Sequence, residues 1–171
     1  FFDAETEMTT SVLKKFGPDF VMQQNVLKGS VQRQIKNAVL EQYPPIRPYI
    51  NQIFPKKGGN YSTIKCREHI TLLVIDGEVC FFQIRTGPFI PTLRLLHKYP
   101  FMLPRFQADR GAIKFLFSGA QCMCQGLTSA GGAVPENIGE GQVVAIYAEG
   151  KEHALAIGTT LMTSFAIKSV N

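Results

Sequence analysis

The dipeptide Asp76-Gly77 constrains this chain more than any other feature. It separates two strongly apolar runs, Ile70–Ile75 and Glu78–Ile84, and an Asp-Gly pair between such runs favours a two-residue β-turn and hence a hairpin. In the simplest register Leu73 opposes Cys80 and Thr71 opposes Phe82. Leu73 and Phe82 then line one face, Leu72 and Phe81 the other, so the sheet should be covered on both sides. In that register Cys66 falls opposite a position near Gly87 and cannot bridge Cys80. The 45% hydrophobic fraction, against 18% charged, supplies a core and excludes a disordered chain. Scattered Gly and Pro exclude collagen and coiled coil.

The segments before the hairpin read as helices. The first 25 residues are weakly patterned. Ser30 is an N-cap candidate. Val31, Ile35, Ala38 and Val39 then fall on one helical face, with Arg33 and Lys36 on the other. Tyr43-Pro44-Pro45 stops that helix, because a residue before proline avoids the helical region. Residues 45–54 fit a second short helix with Ile46, Ile50 and Ile53 inward and Pro48 in its first turn. After the hairpin, Gly87-Pro88 breaks the strand. Pro91 starts a helix to about Tyr99, with Leu93, Leu95, Leu96 and Tyr99 on one half and Arg94, His97 and Lys98 on the other.

A different grammar follows Pro100 and Pro104. Asp109 caps an almost wholly apolar helix, residues 112–117, which ends at Ser118-Gly119-Ala120. A glycine-rich uncharged stretch leads to strands at 143–148 and 155–161, joined by the polar loop 149–153. Short strands between glycine turns suggest a small barrel. The longest uncharged run, residues 115–135, is too rich in Gly, Ser, Thr and Gln to span a bilayer. No basic-then-apolar leader opens the sequence, and residues are expected to precede Phe1, which is not Met.

Charge is unevenly placed. The net formal charge is +5. Residues 28–100 hold 11 Lys/Arg against 4 Asp/Glu, whereas residues 101–171 hold 5 against 5. A basic half and a neutral half point to a polyanion partner or to a solubility charge. The cysteines at 66, 80, 122 and 124 lack zinc-finger or thioredoxin spacing and read as reduced thiols, which implies an intracellular, cytoplasmic setting.

The common catalytic patterns are missing. Gly150-Lys151 is followed by Glu152, so there is no phosphate-binding Gly-Lys-Ser/Thr loop. Gly139 and Gly141 are followed by Val144 and then a strand, unlike a dinucleotide loop. Residues 126–131 miss the nucleophile-elbow spacing by one. His69, His97 and His153 are dispersed and read as structural or surface histidines. Asp76 is accounted for by its turn and Asp109 by its cap, and the remaining carboxylates offer no acid–base pair. The basic residues offer more. Lys56, Lys57, Lys65, Arg67 and Arg85 surround the hairpin, and Arg94, His97 and Lys98 form one helix face, either a phosphate-binding surface or a solvated one. Exposed aromatics such as Tyr61 or Phe89 beside them would favour single-stranded RNA.

The run Gly87-Pro88-Phe89-Ile90-Pro91-Thr92-Leu93-Arg94-Leu95-Leu96-His97-Lys98-Tyr99-Pro100 resembles the malignant T-cell amplified sequence family. So does Asp109-Arg110-Gly111-Ala112-Ile113-Lys114-Phe115 with Ser118-Gly119-Ala120. The resemblance covers roughly residues 26–163. It implies an α+β fold, with an N-terminal α+β domain over residues 1–99 and an RNA-binding PUA pseudo-barrel over 100–171. It implies a role in translation beside density-regulated protein, on the small ribosomal subunit, in tRNA handling, reinitiation and recycling. Gly119, Ala120, Gln121, Met123 and Gly126 match the PUA glycine segment, where the backbone could approach a phosphate or terminal nucleotide, or could simply form barrel turns. Gln125 stands where the family usually has proline, implying a less rigid loop. The chain ends before the last strand expected of the family.

The resulting expectation is a non-catalytic RNA-binding adapter without metal or cofactor. Its alternatives are an RNA-modifying enzyme, or an accessory subunit of one, and a pure protein–protein module.

Overall fold

The computed structural model describes residues 16–56 and 58–170, which form two compact units divided between Leu95 and Leu96. The first unit is built on a five-stranded sheet in sequential order: β1 (Val21–Val26), β2 (Tyr61–Cys66), β3 (Ile70–Ile75), β4 (Glu78–Ile84) and β5 (Ile90–Pro91). All neighbouring pairs are antiparallel. The Asp76-Gly77 turn forms as expected, with φ of 51° and 82°, values that a two-residue hairpin turn requires and that Asp and Gly tolerate.

The hairpin register differs from the simplest one. Val74 pairs with Val79, but Leu73 pairs with Phe81 and Thr71 with Gln83. Cys80 is therefore a β-bulge, and beyond it every pairing shifts by one residue. The shift places Leu73 and Phe81 on the same face rather than on opposite ones, and both are fully buried. Phe54 stacks on Phe81 and Tyr61 from above, at centroid distances of 6.1 and 6.2 Å. The other face carries Ile64, Leu72 and Phe82 half-buried beside buried Cys66, Ile70 and Val74. All four cysteines are free thiols.

Helix α1 (Gly29–Gln42) starts two residues earlier than expected, after Lys28. Ser30 lies inside its first turn and is not the cap. The chain leaves β1 extended at Lys28, and Gln32 Nε2 donates back to the Leu27 carbonyl at 2.8 Å. The apolar stripe is narrower than the pattern suggested: Val39 is buried and Ile35 half-buried, but Val31 and Ala38 are exposed. A 3-10 segment (Pro44–Tyr49) runs into α2 (Ile50–Ile53), with Ile46, Ile50 and Ile53 buried as expected. Pro91 belongs to β5, and α3 (Leu93–Lys98) starts two residues later, where Thr92 Oγ1 accepts from the Leu95 amide. The Gly87–Pro91 stretch is clamped by α1: Gln42 Nε2 donates to the Phe89 carbonyl (2.9 Å), Gln42 Oε1 accepts its amide (3.0 Å), and the Tyr43 hydroxyl donates to the same carbonyl.

The second unit holds a three-stranded sheet in the order β6 (Arg105–Ala108), β7 (Val143–Ala148), β8 (Ala156–Thr159). β6 and β7 are parallel, β7 and β8 antiparallel, and Ala133 bridges Gln107 on the free side of β6. β8 is shorter than the expected strand at 155–161, which ends where Thr160 is held by Gln142 and Gly139. Three short helices flank the sheet: α4 (Ile113–Phe117), α5 (Cys124–Thr128) and α6 (Ser164–Ser169). Phe106, Leu127, Val144, Ile146 and Ile167 form the core. The whole is α+β, as expected.

Candidate nucleic-acid interface

The first unit's cations are placed by strand direction. Arg67 follows β2, and its amide donates to the Phe20 carbonyl. Arg85 follows β4 with φ 52°, and its amide donates to the His69 carbonyl at 2.8 Å. Antiparallel order brings these two exposed arginines to one end of the sheet. Lys56 lies at the other end. It follows Pro55, whose carbonyl accepts from the hydroxyl of Tyr61, the first residue of β2. A six-residue strand separates the ends by about 20 Å. Lys56 is instead near Lys36, whose Nζ donates to Asn51 Oδ1 at 2.9 Å. Burial pushes the Lys36 ammonium below its usual range, and the Lys56 charge adds to the effect. Lys57 lies outside the described residues. Tyr61 is buried, so it offers no stacking surface, and Phe89 is half-buried.

On α3, buried Leu95 and Leu96 leave Arg94, His97 and Lys98 exposed, as the helical spacing suggested. His97 and Lys98 belong to the second unit. There His97 Nε2 lies 2.9 Å from the Ala154 carbonyl, and its ring packs on His153 at 5.3 Å. That places His97 against the loop before β8.

The glycine segment is organised by helix ends. Gly119 has φ 75°, its amide donates to the Leu116 carbonyl (2.9 Å), and the Ala120 amide donates to the Phe115 carbonyl (2.9 Å). This pairing is a Schellman motif, in which a left-handed residue after the helix returns two amides to its last turn. Both amides are therefore engaged, and the backbone at Gly119-Ala120 has none left for a phosphate. Gly126 is a packing glycine. A Cβ there would lie 3.3 Å from that of Ala112, and its carbonyl accepts the Asp109 amide at 2.8 Å. Gln125 lies in the first turn of α5, a position that tolerates proline or glutamine alike.

What this segment does expose is side chains. Ala112, Leu116, Cys122 and Cys124 face the core, while Gln121 is exposed, Phe115 is 54%, Phe117 70% and Met123 71% exposed. Lys114 Nζ lies 4.9 Å from the Phe115 ring centroid. Arg110, also exposed, reaches Glu149 at 3.7 Å. A short helix that is apolar all round is normally buried. The almost wholly apolar character of residues 112–117, broken by Lys114 alone, was visible in the sequence, but the exposure of its aromatics was not.

This surface is held by Asp109. Its Oδ1 accepts the Ala112 amide at 2.8 Å and its Oδ2 accepts the Ser129 hydroxyl at 2.5 Å. The Ser129 bond first, and the Ala112 amide second, hold the carboxyl below the usual carboxylate range. One anion thus pins the start of α4 to the end of α5. Burial pushes the Cys122 thiol up to about 11, which keeps it protonated at neutral pH. Among the described residues no three His, Cys, Asp or Glu side chains gather as a metal-holding group, and no helix is long and apolar enough to cross a membrane.

Residues 16–100 match the Pre-PUA-like domain and residues 103–171 match the elF2D, PUA domain. Fold and site together define a two-part protein of the Pre-PUA and PUA class. Malignant T-cell-amplified sequence 1 of Rattus norvegicus is 53% identical over 85% of this chain and 79% of its own length. Translation machinery-associated protein 20 of Saccharomyces cerevisiae is 47% identical over 94% of this chain and 88% of its own. The chain belongs to the malignant T-cell-amplified sequence family. Among solved structures, a hypothetical protein of Pyrococcus horikoshii is similar at a TM-score of 0.66 and 20% identity, covering 85% of this chain and 86% of that one. A PUA domain protein of Thermoplasma acidophilum is similar at 0.60 and 16%, covering 85% and 84%. These two likenesses concern the fold alone.

Proposed function

We propose that this protein is a non-catalytic RNA-binding translation factor. It acts with density-regulated protein on the small ribosomal subunit in tRNA handling, reinitiation and recycling. The translation setting is supported by the match to the elF2D-type PUA domain and by the yeast relative's name. The observation that carries the RNA reading is the exposed set Phe115, Phe117 and Met123 beside Lys114 and Arg110. Aromatic and thioether faces stack on unpaired bases, and nearby cations neutralise the adjoining phosphates. Gln121 adds a hydrogen-bonding side chain to the same segment. Gly119, Ala120 and Gly126 serve by shaping the helix pair. The first-unit cations Lys56, Lys57, Arg67 and Arg85, and Arg94 and Lys98 of α3, add phosphate contacts that orient the protein without reading sequence. His97 steadies the loop before β8.

The α3 contribution is testable by salt. Changing Arg94 and Lys98 together to Ala is expected to weaken binding to small ribosomal subunits. The slope of log affinity against log salt should become shallower by about 0.7–0.9 per lost phosphate contact. Unchanged affinity and slope would remove α3 from the interface.

A further inference from the structure

Among the described residues, strand β1 is an edge of the first sheet. In the sheet order it pairs only with β2. The Leu27 amide donates to the Tyr61 carbonyl at 2.9 Å, so by the alternation of antiparallel ladders Asn25 and Gln23 also face β2. Gln24 and Val26 then direct their amides and carbonyls outward, where no described strand meets them. Edge strands are normally blunted by charge or proline. The six residues Val21–Val26 contain neither, and their one irregularity is a bulge at Met22. Val21, Met22 and Val26 are 49%, 69% and 76% exposed.

The charges lie around this edge. Lys28 follows β1, Lys65 sits opposite Gln23 on β2, and Arg67 donates its amide to Phe20; all three are exposed. Among the described residues, exposed Asp19 and Glu68, next to Phe20 and Arg67, are the acidic residues beside them, both at the Arg67 end. We infer that β1 takes an added strand from a partner protein, an extended segment that is uncharged and β-branched in its middle and acidic at its ends. Backbone pairing would supply affinity, and the flanking cations would select the ends. A second copy of this chain fits poorly, because it would bring the same three cations against each other. This inference does not rest on the RNA-stacking reading, since none of the residues proposed to stack on RNA lies on β1; Arg67 alone is shared, as a proposed phosphate contact.

The probe is a synthetic peptide, Glu-Asp-Thr-Val-Thr-Val-Thr-Asp-Glu, titrated into the full chain with hydrogen exchange followed by NMR. The peptide is expected to slow exchange at the Gln24 and Val26 amides at least tenfold. A version N-methylated at alternate residues, with the same side chains and charge, should bind at least tenfold more weakly; it tests the ladder without touching the protein's folding. Equal binding of the methylated peptide would reduce the effect to charge and overturn the proposal. So would absence of binding by the unmodified peptide, protection of the same amides by self-association without peptide, or their protection by a uridine oligonucleotide instead.

Discussion

Replacing Phe81 by Ala is expected to destabilise the first unit by about 3–5 kcal/mol, the usual cost of removing a buried aromatic ring from a core. Phe81 has no exposed surface, pairs with buried Leu73 across the hairpin, and stacks under Phe54. No neighbouring chain segment is free to fill the space, because the Cys80 bulge fixes the register on either side. Val79→Ala, one residue before the bulge and 37% exposed, should cost far less. Urea unfolding of the two variants, followed by circular dichroism, checks the contrast. Equal midpoints for the two would show that the bulge does not set which ring enters the core.

The second large effect is functional. Phe115→Ala is expected to lower affinity for deacylated tRNA by about 1–3 kcal/mol, roughly ten- to a hundredfold, the range seen when one base loses an aromatic partner. The ring is 54% exposed, so thermal stability should change far less than for Phe81→Ala. Phe165→Ala serves as the control. That ring is more exposed still, at 79%, but lies on α6, outside the segment 110–126 proposed to meet RNA. Anisotropy titrations at two salt concentrations separate the two. A stacking loss should persist at high salt, whereas a charge effect should fade.

Several elements were legible because their chemistry is local. The Asp76-Gly77 turn, the stop at Tyr43-Pro44-Pro45, the Asp109 cap and the Gly119 helix end each depend on a few adjacent residues, and each forms. The Cys80 bulge was not legible, since one extra residue leaves the apolar pattern of β4 intact and changes only what it faces. β1 was missed because Val-Met-Gln-Gln-Asn-Val has a polar centre and, at the edge of the described sheet, shows no alternation of buried and exposed positions. The basic character of the first part was readable as a count. Its division was not, because antiparallel strand order sends Lys56 and Arg67 to opposite ends of one sheet. At the candidate site the sequence pointed to the backbone of the glycine segment. The Schellman bonds engage those amides, and the side chains of Phe115 and Met123 face solvent instead.

Ultraviolet cross-linking of the full chain to deacylated tRNA, with the adducts located by mass spectrometry, tests the RNA-binding reading most directly. Adducts should concentrate between residues 110 and 126, led by Phe115 and Met123, and should disappear when an unlabelled tRNA competes. Adducts confined to the hairpin of the first unit, or none above those of an unrelated basic protein, would contradict the account.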